Sequence, residues 1–150
     1  MSSSAFDWAF APTRCVLLSR SRLAAWAVVM LLAGATSVAA GPSVMLAEPT
    51  NGATVSSPVK LRFVLQGMTL APAGDVVANS GHHHLLIDTG PVSVGEVIPS
   101  DATHLHFGDA QSEAEVSLSP GLHKLTVQFG DGAHRSYGPA MSQTITVMVK

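Results

Sequence analysis

Short runs in which apolar and polar residues alternate are the feature that most constrains how this chain can fold. In the stretch 59–66, Val59, Leu61 and Phe63 alternate with mostly polar neighbours, and the stretches 124–129 and 144–149 repeat the pattern. A period of two is typical of a β-strand with one buried face. Weaker runs of the same kind occur at 44–47, 83–87, 94–98, 104–107 and 114–118. Together these segments predict an all-β domain.

Clusters of turn-forming residues separate the alternating runs, for example at 49–52, 119–121 and 130–132. Seven to eight short strands joined by such turns, within about 110 residues, predict an immunoglobulin-like (Greek-key) β-sandwich. The segment 67–81 lacks clear alternation. It is predicted either to fold over one end of the sandwich as a loop or to contain a further short strand near Val76.

The first forty residues differ in kind from the rest. Arg14, Arg20 and Arg22 precede an apolar run over 23–40, which ends in small residues before Gly41. This layout predicts a signal peptide at 1–40, cleaved after Ala40, and a mature domain at 41–150. The rival interpretation is a retained membrane anchor, because eighteen residues reach the lower limit for a span. We expect an exported protein, periplasmic or secreted, with no stable membrane anchor after cleavage.

Charge and cysteine content narrow the functional classes. Residues 41–150 carry five cations against nine anions, so no basic stripe is available to displace counterions from a nucleic acid, and we expect no nucleic-acid partner. The single cysteine, Cys15, precedes the predicted cleavage site. The domain must therefore be held together by its hydrophobic core without disulfides.

Histidines are concentrated in two short passages, 81–88 and 103–108, which hold five of the seven. On a strand, residues two apart share a face and lie about 7 Å apart, so His82 pairs with His84 and His104 with His106. Imidazole nitrogens bind zinc and copper, and two neighbouring strands would bring four of them together. The sequence therefore predicts a copper or zinc site formed by these four side chains.

Four further residues are accessory candidates for this site. His83 is expected on the inner side of its strand, and Met68 offers a thioether that favours Cu(I). Asp88 could orient a ligand ring, while His134, in the loop 130–139, could reach the same end of the sandwich. Core packing for Met68, turn capping for Asp88 and a solvated His134 are the alternatives. His123, at the start of the penultimate strand, is interpreted as structural.

Signatures of enzymes are absent from the sequence: it has no G-x-S-x-G elbow, no H-E-x-x-H, no phosphate-binding glycine loop and no mature cysteine nucleophile. We expect a metal-binding domain involved in metal carriage or homeostasis, whose partners are the ion and another envelope protein. The alternative is a non-catalytic envelope binding or structural module whose histidines form a metal-free hydrogen-bond network. A catalytic role would require an open coordination position and a substrate pocket.

Three motifs together resemble a known family. They are Gly-His-His-His-Leu-Leu-Ile-Asp at 81–88, Thr-His-x-His-Phe-Gly at 103–108 and Gly-Asp-Gly-x-His-x-Ser-Tyr-Gly-Pro at 130–139. The sequence resembles the bacterial exported domain-of-unknown-function family DUF4399 over essentially all of 41–150. The resemblance implies a periplasmic, immunoglobulin-like domain and assigns no biochemical role.

Overall fold

The computed structural model describes residues 41–150, and the signal peptide predicted at 1–40 lies outside them. Within 41–150 it has nine strands: β1 (Ser43–Glu48), β2 (Thr54–Val55), β3 (Val59–Gln66), β4 (Thr69–Leu70), β5 (Ser80–Ile87), β6 (His104–Phe107), β7 (Glu113–Val116), β8 (Gly121–Gly130) and β9 (Ser142–Val149). One short 3-10 helix, Pro139–Met141, precedes β9. Over the same residues, the chain forms no helix of the length and hydropathy required for a membrane span. The all-β prediction is confirmed.

Two sheets make up the fold. The first has the order β1-β3-β7, and the second has the order β2-β9-β8-β5-β4, with β6 added beside β5. β8 and β9 form a long antiparallel hairpin, paired from Gly121 and Val149 to Gln128 and Ser142. β5 is central in the second sheet, since β8 pairs with one edge and β6 with the other. The immunoglobulin-like strand connectivity stays a prediction, whereas the sandwich-like arrangement is present.

The core lies between the two sheets, where the alternating apolar residues meet. Leu61 and Phe63 of β3 are 2% and 3% exposed, and Leu85, Val127 and Phe129 of the second sheet are fully buried. Each such side chain contributes about 1.5–3 kcal/mol when it is removed from water. The strongest alternating runs in the sequence therefore form the sheets that the pattern predicts.

β5 departs from the simple alternating pattern because all eight of its residues are buried. Its outer face is covered by the connection that follows it. Gln128, on the neighbouring strand β8, accepts a hydrogen bond from Val92 N at 2.9 Å and donates one to Val92 O at 2.8 Å. Ile98, 2% exposed, packs near Gly130 on the same face. This covering layer encloses the outward-facing side chains of β5.

The prediction of a strand at 94–98 is wrong. Gly95 has a φ of +80°, and Val94 and Val97 are 73% and 55% exposed. Only an isolated bridge between Val97 and Arg135 is present in this stretch. Of the apolar residues in the segment only Ile98 is buried, against the outer face of the sheet, and a single buried residue does not require a strand.

The uncertain segment 67–81 is mostly loop. β4 pairs with the start of β5 through Thr69 and Leu70, and the chain then runs without strand structure to residue 79. Val76 and Val77 lie in this loop and are 71% and 62% exposed. Its Gly74 N donates a hydrogen bond to Gly132 O at 2.8 Å, which fixes the loop against the turn after β8.

Candidate metal centre

The alternation of β5 places His82 and His84 on the outer face of the second sheet and His83 on the inner face. His83 stacks on Phe63 of the opposite sheet, with ring centroids 4.7 Å apart. β6 runs antiparallel to β5 with His106 directly opposite His84. The outer face of two neighbouring strands thus carries the imidazoles of His82, His84 and His106 side by side.

The turn after β8 adds a fourth ring, that of His134. Gly130, at the end of β8, pairs with His82 on β5, so the turn begins beside the histidines. Asp131 shapes it by accepting hydrogen bonds from Arg135 N at 2.8 Å and Ala133 N at 2.9 Å. His134 itself has a φ of +62°. The chain reverses at this point, and the imidazole of His134 comes to lie over His82.

Three of the rings converge closely. Their centroids are 4.7 Å apart for His82 and His106, 5.0 Å for His82 and His134, and 4.6 Å for His106 and His134. One nitrogen from each lies within 4.8 Å of the others, close enough for the three to hold one ion. The His84 centroid is 4.8, 5.3 and 5.7 Å from those of His82, His106 and His134. We call these four residues the histidine cluster.

The inner half of the histidine cluster has no hydrogen-bond partners. Both ring nitrogens of His82 and both of His84 are buried, and none of the four atoms has a partner within residues 41–150. The two side chains are 0% and 1% exposed. Buried polar groups are normally paired, and an unpaired one costs about 1–3 kcal/mol. Four such atoms are therefore concentrated at one place, in the buried half of the histidine cluster.

Burial also fixes the protonation state of these rings. It is the main reason that the pKa of His82 falls to about 4 and that of His84 to about 3, and nearby imidazoles act in the same direction. Burial and the neighbouring His134 likewise lower the pKa of His106. At neutral pH these three rings are therefore neutral, which is the form that donates a nitrogen lone pair to a metal.

The outer half of the histidine cluster faces solvent. His106 is exposed and His134 is partly exposed, and their Nε2 atoms lie 3.1 Å apart. An ion that approaches from solvent on this side meets these two rings first. The cluster is therefore buried at His82 and His84 and accessible to solvent at His106 and His134.

Two glycines make room for the rings. A Cβ added at Gly108 would lie within 2.6 Å of His106 Nε2, and one added at Gly130 would lie 3.0 Å from His84 Nε2. Neither glycine has a positive φ, so space is the requirement at these positions. The sequence contains both glycines next to the histidine motifs, where they permit the rings to pack closely.

His104 lies apart from the cluster. It pairs with Leu86, two residues beyond the His84 and His106 pair. Its Nδ1 lies 2.9 Å from Asp101 Oδ1, and the same oxygen accepts hydrogen bonds from the backbone N of Thr103 and His104. Hydrogen bonding by His104 is the main reason that the pKa of Asp101 is lowered. This local turn, rather than the shared pocket, holds the ring that the sequence pattern assigns to the metal.

The remaining candidates occupy structural positions. His83 Nδ1 lies 3.2 Å from Gln111 O, and the ring is held between the sheets. Met68 packs against the hydrophobic core. Asp88 contacts His123 Nδ1 at 2.9 Å and accepts a bond from Lys124 N at 2.8 Å, which places both His123 and Asp88 in a turn-stabilising pair.

The sequence places His134 only among the accessory candidates, with a solvated position as the alternative, whereas the structure brings its ring into the cluster. The available signal was the turn Gly-Asp-Gly-x-His directly after a predicted strand. Only the pairing of Gly130 with His82 shows that this turn lies beside the histidine motif. That pairing joins residues far apart in the sequence, so alternation within one segment does not specify it.

Comparisons with known proteins give a family and no named function. Neither the curated proteins nor the solved structures contain a match to this chain. The model of the family described as Domain of unknown function (DUF4399) matches residues 61–150, which include every member of the histidine cluster. The chain belongs to the DUF4399 family.

Proposed function

We propose that this protein is an exported metal-binding domain that holds one copper or zinc ion in the histidine cluster and serves in metal carriage or homeostasis. The observation that carries the proposal is the set of four buried, unpartnered ring nitrogens on His82 and His84, facing the accessible rings of His106 and His134. A bond to a metal would use one nitrogen of a ring and so offset part of the unfavourable burial of those nitrogens.

The solvent-accessible side of the histidine cluster favours exchange of the bound ion over a permanent structural role for it. A sealed site would retain its ion, whereas His106 and His134 can be reached by a chelator or by another protein. Within the described residues, the group able to hold a metal consists of histidines alone. Neutral imidazoles release few protons on binding, so uptake near neutral pH requires little rearrangement of charge.

Metal analysis tests the proposal. Untagged, chelator-treated protein is titrated with Zn(II) and with Cu(II), and bound metal is measured after gel filtration. We expect one ion per chain, with affinity lowered at least about tenfold in His106→Ala and His134→Ala, because even loss of an outer-shell partner costs about 10–100-fold. His104→Ala is the matched control and should bind as the wild type does. Absence of saturable uptake would refute the proposal.

One observation supports a second function, that of a metal-free envelope binding module. The 3.1 Å contact between His106 Nε2 and His134 Nε2 is a ring-to-ring hydrogen bond when one nitrogen carries a proton. A metal-free histidine network in an envelope binding module would use such a contact. In that case the melting temperature of the protein as purified should not change when chelator is added, whereas a metal-binding domain should melt at a lower temperature.

The proposal includes export, and the evidence for export lies in residues 1–40 alone. The arginines and the apolar run of this segment support cleavage after Ala40. Expression of the full chain in a Gram-negative bacterium, followed by fractionation and N-terminal sequencing, should give a periplasmic or secreted product that begins at Gly41. An uncleaved chain in the membrane fraction would contradict export as a mature domain.

A further inference from the structure

The ring nitrogens of three histidines in the cluster converge, and those of the fourth do not join them. One nitrogen each from His82, His106 and His134 belongs to the convergent group, and His84 is not part of it. The Nε2 atoms of His106 and His134 are 3.1 Å apart. With metal–nitrogen bonds of about 2.0–2.1 Å, two nitrogens on one tetrahedral ion are about 3.3–3.4 Å apart. The donor atoms therefore supply three ligands to an ion.

An ion held by three imidazoles has a further coordination position. Zinc takes four ligands, and a site with three protein ligands binds water or another small ligand at the fourth position. Two of the three rings face solvent, since His106 is exposed and His134 is partly exposed. A ligand from solution can therefore reach an ion that these rings hold.

The charge of the donor set indicates which ligands the fourth position favours. The convergent group contains imidazoles and no carboxylate or thiolate. Neutral imidazoles leave both positive charges of a divalent ion uncompensated. In a partly buried site the attraction between opposite charges is stronger than in water, and a bound cation is the largest local charge. The fourth position therefore favours a small anion over a neutral ligand.

His84 offers a hydrogen-bonding group beside the three ligand rings. Its side chain is 1% exposed, and both of its ring nitrogens are buried without partners within residues 41–150. A neutral imidazole carries one N–H donor and one acceptor nitrogen. The N–H of His84 can donate to an anion on the metal, or its other nitrogen can accept from a bound water. Either contact pairs a nitrogen that the three ligands leave unpaired.

Building on the metal binding proposed above, we infer that His82, His106 and His134 hold the ion and leave a fourth position that binds a small exchangeable anion. His84 donates a hydrogen bond to that anion and does not bind the metal. In this arrangement His84 gains a hydrogen-bond partner on metal uptake without becoming a ligand. The same position gives a donor atom of another protein access to the ion before the three imidazoles release it.

Azide binding to the Co(II)-loaded protein tests the fourth position. Co(II) replaces zinc in nitrogen-ligand sites, and its visible spectrum changes when one of its ligands changes. Untagged protein loaded with one Co(II) per chain is titrated with sodium azide. We expect a spectral change that saturates at one azide per ion and is reversed by gel filtration. An ion enclosed by four protein ligands would give no such change.

His84→Leu tests the hydrogen bond to the anion. Leucine is close to histidine in volume, and replacing unpartnered buried nitrogens by apolar atoms should leave the fold intact. In the Co(II)-loaded variant we expect azide affinity to fall at least about tenfold, because the anion loses a hydrogen-bond donor. His104→Leu, at a ring outside the cluster, is the matched control and should bind azide as the wild type does.

X-ray absorption of the zinc-saturated proteins counts the imidazoles on the metal. In the wild type we expect three imidazoles and one further oxygen or nitrogen ligand, at about 2.0 Å. The count should stay at three in His84→Leu and fall to two in His106→Ala. If His84→Leu does not fold, the wild-type count and the azide titration decide the result.

The outcomes separate this inference from the proposed function. A spectrum that azide leaves unchanged, four imidazoles in the wild type, a lower count in His84→Leu, or unaltered azide affinity in His84→Leu would overturn the inference and leave metal binding intact. Absence of any Co(II) or Zn(II) uptake would overturn both. An azide-responsive ion with three imidazoles, and weaker azide binding in His84→Leu than in His104→Leu, would support the inference.

Discussion

At the scale of single residues, the burial of His82 and His84 affects both the stability of the fold and the metal binding that we propose. Both are held neutral by an environment that removes water from their rings, and neither has a hydrogen-bond partner in the described part of the chain. Burial without partners destabilises the metal-free protein, and the same burial presents lone pairs to a metal ion. The residues that weaken the fold without metal are therefore those that we expect to gain most from it.

The first prediction concerns the pH dependence of stability without metal. In the unfolded chain a histidine has its ordinary pKa of about 6.5, whereas in the folded protein the pKa values of His82 and His84 are about 4 and 3. Between pH 6.5 and 4 the unfolded state binds more protons, so stability is present above pH 6.5 and is lost as the pH falls. We expect the free energy of unfolding to drop by a few kcal/mol over this interval.

Urea denaturation of chelator-treated protein, repeated at several pH values from 4 to 7.5, measures this dependence. Asp88 and Asp101, whose pKa values are lowered, start to lose their stabilising effect only below about pH 5, so the change between pH 6.5 and 5 reports the imidazoles. A free energy of unfolding that stays constant, or rises, as the pH falls from 6.5 to 4 would contradict the buried neutral state of these two rings.

The second prediction concerns the space around the exposed ring of His106. A Cβ at position 108 would lie within 2.6 Å of His106 Nε2, so Gly108→Ala should push this ring away from the cluster. We expect zinc affinity to fall at least about tenfold, as it does when support for a ligand is removed. Gly90→Ala is the control, since a Cβ there meets nothing within 4 Å. Equal affinity in the two variants, measured by calorimetry, would argue against close packing at Gly108.

At the scale of elements, β5 carries the site because both of its faces are buried. Its inner face supplies His83 and Leu85 to the core, and its outer face carries Leu86 and the two buried histidines of the cluster. A strand in the middle of a sheet is fixed by hydrogen bonds on both edges, here to β8 and β6. Side chains on such a strand are held more firmly than side chains on a loop would be.

The third prediction tests this double burial. Leu86 is on the outer face and is 0% exposed, so Leu86→Ala should lower the free energy of unfolding by about 2–5 kcal/mol. In an ordinary half-exposed sheet the same substitution on the outer face would have little effect. Leu122→Ala, at a side chain that is 66% exposed, should change stability by about 0.5 kcal/mol or less.

Chemical denaturation of the two variants beside the wild type provides the comparison. If Leu86→Ala and Leu122→Ala are equally mild, the covering layer over the outer face is too loose to enclose the histidine cluster. A large effect at Leu86 alone agrees with the buried outer face.

Two histidines show why the sequence predicts part of the site and not all of it. His82 and His84 share a face because of the local period of two, which any strand obeys. His104 obeys the same rule, yet its Nδ1 lies 2.9 Å from Asp101 Oδ1. This contact holds the ring in a local turn, apart from the cluster. His134 lies in a turn, where the period of a strand does not apply, and its position depends on the pairing of Gly130 with His82. Local rules place side chains on faces, whereas strand register and turns decide which of them meet.

At the scale of the whole molecule, strands β5 and β6 supply three of the four histidines of the cluster, and the turn after β8 supplies the fourth. The strongly alternating runs at 59–66, 124–129 and 144–149 all lie in strands, because their apolar faces meet in the core. The failed strand at 94–98 belongs instead to the layer over β5. The hydrophobic pattern thus predicts the sandwich well and predicts the covering connections poorly, since these are set by contacts between distant segments.

The whole protein offers one direct measurement of the central proposal, because its seven histidines divide into two groups. Nitrogen NMR of the imidazoles, recorded on untagged protein before and after one equivalent of Zn(II), reports each ring separately. We predict large shifts of a ring nitrogen in His82, His84, His106 and His134, and small shifts in His83, His104 and His123. Shifts confined to His104 and His123, or no shifts in the cluster, would contradict a metal site built from these four rings.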